Sequence, residues 1–331
     1  MQSFGYVKAT GTDKALAGFA ANAKFIAGGT TLVDLMKLGV EKPSGLVDIN
    51  LLPLDKVEVT PSGGLMIGAL VRNSDLAWNA AVKEKYAVLS QAILSGASPQ
   101  LRNMATTGGN LLQRVRCAYF REPGAGQPGG YGCNKRVPGT GCAALDGFHR
   151  VHAVLGTSEH CIATHPSDMC VAMAALEAVV HVEGARGKRT IVFADFHKLP
   201  GETPQIENAL EPGELVTYVE LPKPVEGAKS AYLKLRDRAS YEFALASAAV
   251  VARVESGRVK YVRVAMGGVG TKPWRSHEAE AALTGKEATE ANFRAAAEAA
   301  MKGAKARKDN AFKVELAKRC MVRTLKLATT A

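Results

Sequence analysis

The cysteines are the residues whose type and clustering most directly suggest chemistry: Cys117, Cys133, Cys142, Cys161, Cys170 and Cys320. The first four are separated by 16, 9 and 19 residues. Clustered cysteines in a cytoplasmic chain more often bind metal than form disulfides. The surrounding composition agrees. Residues 118–141 hold seven Gly and three Pro, ten of 24 positions against 47 of 331 in the whole chain. Such a segment forms no packed helix or strand by itself and needs a staple. Four thiolates on an iron–sulfur cluster would supply one, with flexible backbone amides close to the sulfides. Zinc also suits four cysteines. Zinc sites usually use C-x-x-C knuckles, however, and none occurs here, so the spacing favours a cluster cradled by a loop. Cys320, four residues after Leu316 on one face of an expected helix, reads as a small buried hydrophobe. Cys170 opens the apolar run CVAMAALEAVV and reads as core, yet it competes with Cys161 as fourth ligand. His149, His152, His160 and His165 lie near enough for one imidazole to ligate, with loop or supporting roles as the plainer alternative.

Two glycine turns form a second constellation. Residues 25–38 read as a short strand, a break at Gly28-Gly29-Thr30-Thr31 and a helix from Leu32 to Leu38. Strand, glycine turn and helix together make a phosphate-binding arrangement, because glycines admit a pyrophosphate close to the backbone and free amides face it. The turn is neither a G-x-G-x-x-G fingerprint nor a G-x-x-x-x-G-K-[ST] loop. Residues Thr106, Thr107, Gly108, Gly109 and Asn110 make a second hydroxyl-rich turn about 80 residues later. Two such turns in one domain could grip one diphosphate; either alone is more often structural.

These residues need a scaffold. Helices are expected over 14–24, 75–81 (capped by Asn73 or Ser74) and 83–94, and from about 167 with Ser167 or Asp168 at its start. Strands are expected near 46–49, 56–60, 65–70, 178–183, 189–193 and 214–221. Pro222 to Gly227 punctuates the chain, which suggests a unit over 1–222, with the cysteine loop inserted at 117–161, and a second over 228–331. The second reads as strands 230–236, 243–255 and 258–266, with a Ser256-Gly257 hairpin, then helices near 275–283, 287–302 and 311–327, the last capped by Asn310. Strands followed by helices give an α+β class.

Composition narrows the function. Net charge is +11 with 22% charged and 47% hydrophobic residues, an ordinary globular mixture. Mean hydropathy is −0.02, and no apolar run reaches the length of a membrane span. The densest basic stretch, Lys302, Lys305, Arg307 and Lys308, has no interleaved aromatics, so nucleic acid is not an expected partner. The start MQSFGYVKAT has no secretory pattern, so a cytoplasmic location is the default; export with a signal-bearing partner is the alternative.

The segments AGGTTLVDLMK, LRNMATTGGNLLQ, CIATHPSDM, ELVTYVELP and YLKLRDRASYEFA, in this order, resemble the FAD-binding medium subunit of molybdenum hydroxylases. That family includes xanthine dehydrogenases, carbon monoxide dehydrogenases and aldehyde oxidoreductases. The elements RCAYF, GCNKR, GCAAL and HCIATHPSDM look like the extra loop of the bacterial aldehyde oxidoreductase branch. The resemblance implies a two-part FAD domain of the vanillyl-alcohol-oxidase type, then a carbon monoxide dehydrogenase flavoprotein C-terminal domain. It implies a 4Fe–4S cluster on Cys117, Cys133, Cys142 and Cys161. It implies FAD pyrophosphate held at Ala27, Gly28, Gly29, Thr30, Thr31 and Leu32, with Thr106, Gly109 and Asn110 completing the grip. Asp168 would meet the ribose or adenosine side, and Val216 and Lys234 would lie near the isoalloxazine. A lysine there would stabilise an anionic reduced flavin, though a surface strand lysine is the bland reading. Cys170, where an apolar residue is expected, and the longer Gly/Pro stretch after Cys117 depart from the pattern.

Because no nucleophile–base or acid pair stands out, cofactors are expected to carry the chemistry. The resemblance implies a heterotrimer. Its large subunit, with a molybdenum cofactor, oxidises aldehydes to carboxylic acids, and its small subunit holds two 2Fe–2S clusters. The resemblance implies that this chain passes their electrons through FAD to an external acceptor such as oxygen. Competing readings are an NAD-reducing subunit of the same family and a zinc-stapled basic binding module.

Overall fold

A computed structural model describes residues 1–330 in three sheets. The first is small and parallel. It is built from β1 (Gly5–Lys8), α1 (Thr12–Ala17), β2 (Ala23–Ile26), α2 (Leu32–Lys37) and β3 (Gly45–Asp48), with strand order β1-β3-β2. The helix expected over 14–24 stops at Ala17. Gly18 closes it, and Asn22 takes a left-handed φ of 61° to turn the chain into β2.

The second sheet is antiparallel, in the order β4-β5-β8-β6-β7, and has helices inserted along the chain. In sequence it runs β4 (Val57–Val59), β5 (Leu65–Gly68), α3 (Asn73–Trp78), α4 (Ala80–Lys85), α5 (Ala87–Ser95), α6 (Pro99–Met104), α7 (Thr107–Leu111), α8 (Ala118–Arg121), α9 (Asp168–Ala175), β6 (Val179–Gly184), β7 (Gly187–Val192), α10 (Phe193–Phe196) and β8 (Leu215–Leu221). The helix expected over 83–94 is broken at Tyr86. Tyr86 takes φ −133° and ψ 44°, outside helical geometry; its ring is buried and its hydroxyl donates to the Pro222 carbonyl at 2.8 Å. α3 starts from extended Arg72 with no side-chain cap, so neither Asn73 nor Ser74 plays that part. α6 carries a start signal that the sequence reading passed over: Ser98 caps it and Pro99 occupies its first turn.

The third sheet, β12-β11-β10-β9, joins β9 (Lys229–Leu235), β10 (Ala246–Glu255), β11 (Arg258–Gly267) and β12 (Trp274–Arg275) in antiparallel register. Ser256 (φ 49°) and Gly257 (φ 73°) make the expected hairpin turn. Along β10 the side chains of Ala246, Ala248, Val250 and Ala252 face one core, and Ala249 faces another. The first core is closed by α11 (His277–Leu283), α12 (Glu290–Met301) and α13 (Phe312–Thr329). The second is shared with α5 and α9. Burial on both faces explains why β10 reads as an almost continuous apolar run. The α+β class read from the sequence holds.

Candidate functional site

The first glycine turn leaves β2 and enters α2. Gly29 takes φ 71°, open to glycine at little cost. A Cβ on Gly28 would stand 1.9 Å from the Met104 carbonyl oxygen. That contact presses the first turn against the end of α6, two residues before the second turn. The same carbonyl accepts from Arg72 Nη1 at 2.5 Å. Among the described residues no hydrogen bond takes up the backbone N–H of Gly28, Gly29, Thr30 or Thr31. Thr31 precedes Leu32 at the start of α2 without a side-chain cap bond. Free amides on a glycine corner suit a diphosphate.

In the second turn Thr106 caps α7, its Oγ1 accepting from the Gly109 N–H at 3.2 Å. Gly108 lies against Ala69, whereas Gly109 is exposed. Asn110 Oδ1 accepts from Gln113 Nε2 at 2.6 Å and from Ser167 Oγ at 2.7 Å. Ser167 caps α9, accepting from the Cys170 N–H. Asp168, next in sequence, accepts from Tyr232 Oη at 2.5 Å and from Lys234 Nζ at 2.8 Å. Both side chains of the Asp168–Lys234 pair are buried. Burial and the Asp168 charge hold the Tyr232 phenol well above its ordinary range. The candidates therefore form a connected track from Gly28 and Ala27 through Asn110 to Lys234. Val216 differs: its side chain is buried in the core shared with α5 and α9, on the strand whose Thr217 carbonyl accepts the Ala69 N–H beside the second turn. A cavity of about 160 Å³ opens beside the track, with Ser167, Asp168, Arg116, Phe243, Cys117 and His152 in its wall.

The glycine-rich loop folds around its cysteines. Cys133 and Cys142 pair across an antiparallel bridge, and Ser158 pairs with Cys161. Cys117, Cys133, Cys142 and Cys161 line one small cavity together with His160. Burial, with the neighbouring cysteines adding to it, pushes the Cys117 thiol up to about 12. Burial likewise pushes Cys161 up to about 11 and raises Cys142. A coordinated metal reverses this and deprotonates such thiols. No three of these sulfurs lie within 4.8 Å of one another among the described residues. One tetrahedral zinc at about 2.3 Å would need sulfurs about 3.8 Å apart. Four thiols around one cavity suit a polynuclear iron–sulfur group with thiolates at its corners.

Cys170 stands apart, buried at the start of α9 near His165 and His197. His165 Nδ1 accepts from the Ser167 N–H, and His197 Nε2 bonds the Leu111 carbonyl. A neutral His165 thus keeps its proton on Nε2 and His197 keeps its lone pair on Nδ1; both of these atoms lack partners.

Of the remaining histidines, His149 accepts from the Asp309 N–H through Nε2 at 3.1 Å. His152 Nε2 lies 3.1 Å from Cys117 Sγ, and burial pushes its pKa down to about 4, with Lys313 and His149 contributing. From sequence His152 is a possible ligand, with a loop or supporting role as the plainer alternative; its pairing with Cys117 in particular carries no local signal, since 35 residues separate them.

Comparison with known proteins adds the lineage. Residues 2–224 match the family described as the FAD binding domain in molybdopterin dehydrogenase. Residues 230–328 match the CO dehydrogenase flavoprotein C-terminal domain. The chain is 55% identical to the aldehyde oxidoreductase FAD-binding subunit PaoB of Escherichia coli, over 92% of this chain and 90% of that one. It is 28% identical to the carbon monoxide dehydrogenase medium chain of Hydrogenophaga pseudoflava, over 89% and 84%. A solved structure of carbon monoxide dehydrogenase from that organism superposes with a TM-score of 0.76 at 27% identity, covering 99% of this chain and 97% of the other.

Proposed function

The chain belongs to the FAD-binding medium subunits of the molybdenum hydroxylase family, and from that premise we propose that it is the electron-transferring flavoprotein subunit of an aldehyde oxidoreductase. The observation that supports the flavin site is the Gly28–Met104 contact, which sets the first turn, with its free amides, beside the second, whose own N–H groups are bonded within the fold. In this reading Ala27 to Leu32 and Thr106, Gly109 and Asn110 hold the FAD diphosphate. Asp168 meets the ribose or adenosine side, Val216 presents only its backbone, and Lys234 and Asp168 keep the floor of the site neutral as a pair. Bound FAD supplies the chemistry by collecting electrons singly and releasing two to an external acceptor such as oxygen. The partners are a large subunit with the molybdenum cofactor, which oxidises the aldehyde to a carboxylic acid, and a small subunit with two 2Fe–2S clusters.

Cys117, Cys133, Cys142 and Cys161 hold a 4Fe–4S cluster that closes the 117–161 loop, an insertion in a flavin unit spanning 1–222; residues 228–331 form the second unit. Among the described residues no helix is long and apolar enough to cross a membrane. The cytoplasm is the default location, with co-export as the alternative.

Flavin, iron and acid-labile sulfide are to be measured on the complex purified with both partners. FAD, and iron beyond that of the small subunit, are expected. Cys133→Ser should lose the extra iron and destabilise the loop by several kcal/mol, about what loss of a metal site costs. Unchanged iron in that variant would refute the ligand assignment, and a flavin-free complex would refute the whole reading.

A further inference from the structure

His152 occupies the wall between the two sites. Cys117 is the one ligand candidate that lines both the cysteine cavity and the 160 Å³ cavity beside Asp168, and His152 lines the latter with it. Its Nε2 is 3.1 Å from the Cys117 sulfur. The ring is 2% exposed, and its Nδ1 has no partner. A single ring proton therefore belongs on Nε2, where a thiolate accepts it.

The backbone around the ring is held from the C-terminal helix. Lys313 Nζ donates to the Val151 and His152 carbonyls at 3.2 and 3.0 Å. Asn310 Nδ2 donates to the His152 and Ala153 carbonyls at 3.4 and 3.3 Å. The His152 N–H donates to the His149 carbonyl at 3.0 Å. Five hydrogen bonds thus fix a segment whose imidazole makes one hydrogen bond of its own, beside the Tyr119 ring.

We propose that His152 is a positioning residue that sets the reduction potential of the iron–sulfur centre by donating Nε2–H to the Cys117 sulfur. The inference rests on the iron–sulfur reading above. A hydrogen bond to a ligating sulfur draws negative charge from the centre and favours its reduced form. Burial makes that bond stronger than the same bond in water. No bond breaks and no proton moves at His152.

The test is a redox titration of the assembled complex, followed by electron paramagnetic resonance, with iron and FAD content measured on the same samples. His152→Leu should shift the iron–sulfur centre to a more negative potential while the flavin potential and iron content stay unchanged. His152→Gln, whose amide N–H reaches as far as Nε2, should return the potential towards that of the unmodified protein. His152→Asn, one methylene shorter, should not. The Gln and Asn pair decides the matter if the Leu variant fails to assemble. Equal potentials in all iron-replete variants would overturn the role of His152 and leave the ligand assignment standing. Absence of the centre from the unmodified complex would overturn both.

Discussion

Gly28 and Gly109 make opposite demands on a methyl group. At Gly28 a Cβ meets backbone at 1.9 Å, so Gly28→Ala must push the two turns apart. It should cost about 1–3 kcal/mol of stability, as overpacking does, and release flavin. At Gly109 the nearest atom is the Thr106 hydroxyl at 3.0 Å, a contact that a shift of a few tenths of an ångström relieves while the cap bond stays. Gly109→Ala should therefore keep the melting temperature and lower only flavin content, read by absorbance after desalting. Full flavin occupancy in that variant would remove Gly109 from the binding surface. Both glycines were legible in the sequence as turn residues. Their difference was not, because it depends on whether Met104, 76 positions on, comes to rest against one of them.

Among the elements, α13 does the least expected work. The sequence placed Asn310 as its cap, but the helix begins after Ala311 and Asn310 is buried, donating to carbonyls of the cysteine-loop exit. One turn on, Lys313 is fully buried, and burial, with Arg150 adding to it, pushes its pKa from 10.5 down to about 7. In the window between these values the unfolded chain holds the proton that the folded chain has lost. Stability should therefore rise with pH from about 7 towards 10.5 and carry a constant penalty below it. Lys313→Met should abolish that slope. It should also take one donor each from the Val151 and His152 carbonyls, which keep Thr164 Oγ1 and Asn310 Nδ2, at about 0.5–1.5 kcal/mol per bond. Denaturant unfolding of both proteins across the window measures the difference, and parallel curves would show that Lys313 does not titrate there. Helix periodicity was readable in the sequence. The break at Tyr86 was not, since that residue packs in the core and bonds a carbonyl 136 residues away.

At the scale of the whole molecule, Asp168 at the start of α9 and Lys234 on β9 tie the flavin region to the C-terminal sheet through a buried ion pair, joined by Tyr232. Removing one partner strands a buried charge, so Asp168→Asn or Lys234→Met alone should cost about 3–5 kcal/mol. The double variant should cost less than the sum of the two, because it removes both charges. Additive losses in denaturant unfolding would mean that the two residues act independently. The sequence reading gave each of them a separate role at the ligand, and the pairing adds a structural role that their spacing of 66 residues concealed.

Local order along the chain determined the chemistry on offer: four spaced thiols in a segment too rich in Gly and Pro to pack unaided, one glycine corner able to expose amides and a second, hydroxyl-rich one. Those properties depend on residue type and near neighbours, which the covalent sequence contains. Tertiary packing alone decided that Cys170 stays with α9 while Cys161 joins the other three sulfurs, that Met104 meets Gly28, and that His152 meets Cys117. Each of these contacts closes a loop of tens of residues, so only the burial of the shared cores selects it from the many closures the chain could make.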